Sequence, residues 1–140
     1  MPKYPEHFEI TPNDLGVSIR AQGKTLRELF LRVLQGTAEC LKSDILMSKS
    51  PPSSIIRQKF SVEAVDINSL LIEFLTAVVS HSDIHNAIFT DVRFSKLGED
   101  FLDAEIIGVG VKKFDREIKA ISYENVEIKS LMRFKKYDYI

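Results

Sequence analysis

Two segments of the chain, which begin near residues 25 and 66, each carry one apolar stripe with helical spacing. Thr25 and Glu28 form a capping box that predicts a first helix over residues 25–42. The apolar positions are Leu26, Leu29, Phe30, Val33, Leu34 and Leu41, followed by Ile67, Leu70, Leu71, Phe74, Leu75 and Val78. Because a one-stripe helix must bury that stripe on another element, the two segments require a shared packing surface.

The second helix can begin at either of two residues. Asp66 and Asn68 are both suitable N-caps, and the periodic pattern ends near residues 80–83. The apolar spacing predicts that this helix packs beside the first against one face of a sheet.

Segments that alternate apolar and polar residues supply the sheet. The order of elements is β-β-α-β-α-β-β-β-β, and the connections in the second half have hairpin length, which favours antiparallel pairing. The sequence therefore predicts an α+β fold, with two helices on a mainly antiparallel or mixed sheet, in a single domain over residues 1–140. The clearest predicted strands cover residues 17–22, 56–64, 88–96, 101–108, 117–123 and 126–129, with a last one running to residue 139.

Composition excludes several classes of protein. The 140 residues are 44% hydrophobic and 28% charged, which excludes wholesale disorder. Because the formal charge is only -1, a charged partner would have to bind to a local charged patch. One cysteine, Cys40, excludes an internal disulfide, and neither a signal segment nor a membrane span is evident. We expect a cytoplasmic protein without membrane contact.

Motifs for catalysis are weak or missing. His81 and His85 have the spacing of helical zinc ligands with Asp83 between them, but no glutamate adjoins His81 as a metalloprotease requires. The favoured interpretation of these three is polar residues at a helix C-terminus. No phosphate-cradling glycine loop or nucleophile elbow occurs, so the sequence predicts a protein that is not an enzyme.

Carboxylates near the two ends of the chain are a candidate cation site. Glu9 and Asp14 flank the first strand region, and Asp138 lies two residues from the terminal carboxylate of Ile140. Hard cations such as Ca²⁺ or Mg²⁺ require several converging oxygens. The basic and aromatic segment 133–139 leaves two interpretations open, an RNA-binding edge or a solvated edge strand.

Three segments in order resemble the archease family. Residues 8–30 read F-E-I-T-P-N-D-L-G-V-S-I-R-A-Q-G-K-T-L-R-E-L-F and are similar to the family's first strands and helix start. Residues 66–75 read D-I-N-S-L-L-I-E-F-L and are similar to its second helix. Residues 117–128 read E-I-K-A-I-S-Y-E-N-V-E-I and are similar to its Lys-Ala-Val-Thr-Tyr strand pair. The resemblance spans nearly the whole chain.

The resemblance implies an accessory protein rather than an enzyme. Archeases assist the GTP-dependent RNA ligase that joins tRNA exon halves and repairs RNA, by promoting guanylylation of the ligase and its multiple turnover. Their partner is the ligase, and any interaction with RNA is indirect. Family members bind a divalent cation through an aspartate of an N-terminal His-Thr-Ala-Asp motif and an aspartate close to the C-terminus.

Some functional residues of the family are present in this chain, and others are replaced. Lys119 matches the family's functional lysine, and Asp138 matches its C-terminal aspartate. The N-terminal aspartate of the motif falls on Gly16 in an ungapped alignment, while Asp14 lies two residues away, about 6.5 Å along an extended chain. Glu124 replaces the histidine that follows the family's tyrosine.

Two hypotheses follow from these matches and departures. In the first, Asp14, Asp138 and the Ile140 carboxylate hold a divalent cation, Ca²⁺ or Mg²⁺, and Lys119 and Glu124 contact the ligase. In the second, the same fold is a metal-free, chaperone-like or protein-binding module that has lost the ligase-activating role.

Overall fold

The computed structural model describes residues 8–13, 16–42, 45–47, 54–115, 127–131 and 134–139. Within them, seven strands and two helices follow the predicted order β-β-α-β-α-β-β-β-β, and the α+β class is confirmed. The strand predicted over residues 117–123 lies outside the described residues. The elements are β1 (Phe8–Asn13), β2 (Gly16–Gly23), α1 (Leu26–Leu41), a 3-10 turn (Ile45–Met47), β3 (Ile55–Glu63), α2 (Ile67–His85), β4 (Ala87–Leu97), β5 (Phe101–Gly110), β6 (Glu127–Leu131) and β7 (Phe134–Tyr139).

The described strands form two antiparallel sheets. Their orders are β1-β2-β7-β6 and β3-β5-β4, and each pairing between described strands is antiparallel, as the short connections predict. The sequence predicts one sheet beneath the helices, whereas α1 contacts β2 of the first sheet and β4 of the second. Neither helix in the described part of the chain combines the length and apolar character that crossing a membrane requires.

Helix α1 begins where the capping box predicts. The Thr25 hydroxyl accepts a hydrogen bond from the backbone N–H of Glu28 at 3.1 Å, which satisfies a donor that the first helical turn leaves unpaired. The helix ends at Leu41, one residue before the predicted end. The predicted stripe is buried through Leu29, Phe30, Val33 and Leu34.

Side chains of α1 also cover the edge of the second sheet. Among the described strands β4 is at the edge of that sheet, and an edge strand presents unpaired backbone groups. Arg27 Nη1 donates to the carbonyl of Phe94 at 2.7 Å, and Gln35 Nε2 donates to the carbonyl of Thr90 at 3.5 Å. The helix therefore packs on the strand and supplies hydrogen bonds to its carbonyls.

Helix α2 takes Asp66, not Asn68, as its N-cap. Asp66 Oδ1 accepts the backbone N–H of Ser69 at 2.8 Å, and the hydrogen bonds from Ser69 lower the pKa of the Asp66 carboxyl. The helix continues to His85, beyond the predicted end, and stops because Asn86 adopts a left-handed conformation with φ of 49°.

Four phenylalanines join both helices to the second sheet. Phe30 of α1 and Phe74 of α2 have ring centroids 5.4 Å apart, and Phe94 of β4 lies 6.0 and 5.8 Å from them. Phe60 of β3 extends the cluster at 6.0 Å from Phe74. Aromatic pairs at these separations add to the free energy of apolar burial. The predicted helix stripes thus meet each other as well as the sheet.

The backbones of β5 and β4 approach each other closely at Gly108. A Cβ atom at this position would overlap the Ile88 carbonyl group, whose carbon would lie 2.7 Å away, and would lie equally close to the Phe89 Cα. The pairing of β4 with β5 shifts register between Phe89 and Asp91, directly beside Gly108. The absence of a side chain allows the two backbones to meet at the irregularity.

His81 lies in α2 between two rings. Its imidazole stacks on Phe60 at 5.6 Å and on His85 at 5.9 Å, with the two imidazoles within 8° of parallel. Its Nδ1 atom is shielded from solvent and has no hydrogen-bond partner among the described residues. Burial, and secondarily the charge of His85, lower the pKa of His81.

Gly108→Ala should lower the free energy of unfolding by about 3 kcal/mol, because its Cβ meets backbone atoms that cannot rotate away. Gly110→Ala is the matched control, since the nearest atom to its Cβ is the rotatable Ser54 hydroxyl at 2.7 Å. The control should change stability by less than about 1 kcal/mol in urea unfolding. Equal effects of the two substitutions would contradict the close approach at Gly108.

The lowered pKa of His81 should make stability depend on pH. Between the folded pKa and the unfolded value of about 6.5, the unfolded chain binds more protons, so the free energy of unfolding should fall as pH decreases from 7 through 6.5. His81→Phe keeps the stacking and should flatten this slope in urea titrations. His85→Gln should keep most of it, because burial is the larger cause. An unchanged slope in His81→Phe would contradict the assignment.

Candidate functional site

A row of charged residues crosses the four-stranded sheet at one register level. Glu9 of β1 pairs with Arg20 of β2. On its other side, Arg20 pairs with Asp138 of β7, and Asp138 in turn pairs with Glu127 of β6. We call these four residues the charged row. Strand pairing therefore gathers residues that are more than a hundred positions apart in sequence.

Arg20 lies on the side of β2 that α1 leaves uncovered. Arg20 is exposed, whereas its neighbours Ile19 and Ala21 retain only 5% and 1% of their accessible surface. Successive residues of a strand point to opposite faces, and Ile19 and Ala21 belong to the core that includes the α1 stripe. The position of Arg20 therefore marks the solvent side of β2.

Within the charged row, Asp138 lies between one basic and one acidic residue. Asp138 has a cationic residue opposite it on β2 and an acidic residue, Glu127, opposite it on β6. Like charges directly opposite each other on neighbouring strands destabilise a sheet, and a cation nearby offsets the repulsion. Carboxylate oxygens are the ligands that Ca²⁺ and Mg²⁺ prefer, and strand pairing places two acidic residues, Asp138 and Glu127, at opposite register positions.

Most of the site residues predicted from the sequence fall outside the described residues. This holds for Asp14, Lys119, Glu124 and Ile140. Their proposed roles stay predictions.

The position that replaces the family's aspartate is described. Gly16 begins β2 and pairs with Asn13 of β1. Asp138 is opposite Arg20, four residues further along β2, which corresponds to about 13 Å of strand. The described strands therefore bring Asp138 beside Arg20 and Glu127 and leave Gly16 at a distance from it.

Sequence reasoning missed Arg20 and Glu127. Each belongs to a segment that was predicted as a strand, and each alternates with apolar neighbours. Their relation to Asp138 depends on which strands are adjacent and in what register, which short-range patterns do not determine. The only signal in the sequence was that each of three predicted strands contains a charged residue, Arg20, Glu127 or Asp138, within its alternating pattern.

The histidine pair of α2 does not have the arrangement of a metal site. His81 and His85 stack face to face, and Asp83 is exposed. Within the described ranges no group of three or more histidine, cysteine, aspartate or glutamate side chains could hold a metal ion. The interpretation of these residues as polar positions near a helix end agrees with the end of α2 at His85.

Comparison with known proteins relates this fold and site to one family. The family model of the Archease protein family matches residues 8–137. The protein archease of Pyrococcus furiosus is 29% identical over 136 residues, which cover 90% of this chain and 88% of that protein. The protein archease of Methanosarcina barkeri is 24% identical over 131 residues, which cover 88% and 86% of the two proteins.

A solved structure has the same fold. The solution structure of protein 1598 of Methanobacterium thermoautotrophicum superposes with a TM-score of 0.67 over 96% of both chains, at 20% identity. The resemblance of the three sequence segments is thereby confirmed at the level of the family. Because the family model covers all but the ends of the sequence, the chain belongs to the Archease protein family.

Proposed function

We propose that the chain is an accessory protein that activates a GTP-dependent RNA ligase. It would promote guanylylation of the ligase and allow repeated turnover in tRNA splicing or RNA repair, and it would act in the cytoplasm. The observation that carries the proposal is the match to the Archease protein family over residues 8–137, which includes both helices and the first six strands. RNA would be met through the ligase.

The charged row is one part of the proposed working surface. Asp138 and Glu127 occupy opposite register positions, and we propose that they contribute oxygen ligands to a divalent cation, Ca²⁺ or Mg²⁺. Asp14 and the Ile140 carboxylate remain proposed ligands. When bound, the cation would neutralise the acidic residues and allow an anionic surface of the ligase to approach. Without a bound metal, Arg20 of β2, which pairs with Asp138, would still offset part of the negative charge of the acidic residues.

One observation favours a second function. Gly16, with no ligand atom in its side chain, stands where the family resemblance places an aspartate. A metal-free, chaperone-like or protein-binding module on the same fold would not need that ligand. The two functions differ in whether the ligase responds to the protein and whether that response requires a cation.

Turnover of the RNA ligase from the same organism tests the proposal. With limiting ligase, GTP and a cleaved RNA substrate, the protein should raise both the ligase–guanylate intermediate and the number of products per ligase. Lys119→Ala should reduce this stimulation about tenfold, since loss of one charge-assisted hydrogen bond costs about 1.5 kcal/mol or more.

Lys59→Ala, which changes an exposed lysine of β3 in the other sheet, is the control and should stimulate like the wild type. Stimulation that is absent in the wild type, at any cation concentration, would favour the metal-free module.

Divalent cations should bind weakly, near millimolar concentration, because few anionic oxygens converge. Calorimetry should show that Asp138→Asn abolishes binding and that Glu127→Gln weakens it. Glu63→Gln, which changes an exposed carboxylate at the end of β3 in the other sheet, is the control and should leave cation binding unchanged. Tight binding that survives Asp138→Asn would place the ion elsewhere and contradict the role of the charged row.

A further inference from the structure

A cavity of about 560 Å³ lies between α1 and the edge strand β4, apart from the charged row. Three of its lining residues are arginines, and Glu28 is the one carboxylate among the described residues that line it. The arginines are Arg27 and Arg32 of α1 and Arg93 of β4. The cavity therefore concentrates positive charge in a chain whose formal charge is -1.

The arginines are held in place by the packing of α1 on β4. Arg27 Nη1 is fixed by its 2.7 Å hydrogen bond to the Phe94 carbonyl. That bond uses one of the five N–H donors of a guanidinium group. Arg93 follows Val92, which is buried against the core, and is itself exposed. The packing of α1 on β4 thus brings guanidinium groups from both elements to one cavity.

Arg32 carries the second, independent observation. Its Nη1 donates to Gln35 Oε1 at 3.0 Å, but its Nε is shielded from solvent and has no acceptor among the described residues. A shielded donor without an acceptor costs free energy, and an oxygen ligand that reaches it recovers that cost. Elsewhere in the fold, by contrast, Arg57 of β3 has a carboxylate partner, Glu105, at 3.6 Å.

We propose that this cavity binds a phosphate group. A single carboxylate is satisfied by one arginine fork, whereas a phosphate offers more oxygens and more charge and matches guanidinium groups that converge from two elements. Leu31 and Val92 provide apolar walls that reduce competition from water. The proposal rests on the cavity alone and holds whether or not the chain activates a ligase.

Nuclear magnetic resonance with inorganic phosphate tests the proposal directly. Phosphate replaces chloride at constant ionic strength, and the arginine Nε–Hε signals are followed. We expect a saturable shift of the Arg32 signal, and Arg93→Gln and Arg27→Gln should each weaken binding about tenfold or more. Arg57→Gln, which changes the paired arginine of β3, is the control and should keep the wild-type affinity.

Acetate at equal concentration should give no saturable shift. A short oligoribonucleotide then distinguishes the sources of phosphate: binding tighter than that of inorganic phosphate assigns the cavity to a nucleic-acid backbone, and binding no tighter assigns it to free phosphate. The amide spectrum of each variant verifies its fold. Wild-type affinity in folded Arg93→Gln and Arg27→Gln, an equal response to acetate, or no saturable shift in the wild type would overturn the proposal.

Discussion

Burial of helix α1 against two sheets at once is the interaction on which the rest of the structure depends. Leu29, Phe30, Val33 and Leu34 are fully buried, and the helix contacts β2 of one sheet and β4 of the other. Full burial of each such side chain contributes about 1.5–3 kcal/mol, so this helix supplies a large share of the apolar burial that offsets chain entropy. Its Phe30 joins the aromatic cluster that also receives α2.

Because α1 covers one face of β2 and of β4, the exposed arginines of these strands, Arg20 and Arg93, lie outside the core. On β2, the core side takes Ile19 and Ala21 and leaves Arg20 exposed at the centre of the charged row. On β4, Val92 enters the core and Arg93 lines the cavity beside α1. The charged row and a basic cavity therefore coexist in a chain with a formal charge of -1. Proposed cation binding and proposed phosphate binding use separate surfaces and are separately testable.

Local patterns were sufficient to predict the helices and most strands. The Thr25 capping box located the start of α1, and apolar spacing identified both buried stripes. The end of α2 was placed too early because its last turn is stabilised by the stacking of His81 on Phe60 and by the left-handed Asn86, neither of which affects apolar periodicity. Division into two sheets depends on long-range pairing, which alternation alone does not specify.

The candidate site could be predicted only in part. The family resemblance proposes Asp138 as a functional position, which stays a prediction, and the family itself is confirmed by the match over residues 8–137. Arg20 and Glu127 became candidates only when β7 was placed between β2 and β6. Their selection is a consequence of register, and a slip of one residue would exchange the two faces of the strand.

The most direct test of the charged row is therefore the register itself. Backbone nuclear Overhauser effects should be measured across β2, β7 and β6 in labelled protein. The account predicts cross-strand contacts of Asp138 with Arg20 on one side and with Glu127 on the other. Contacts of Asp138 with Ser18, Ile19, Ala21 or Gln22 in place of Arg20 would contradict it, because the four charged residues would then no longer share one row.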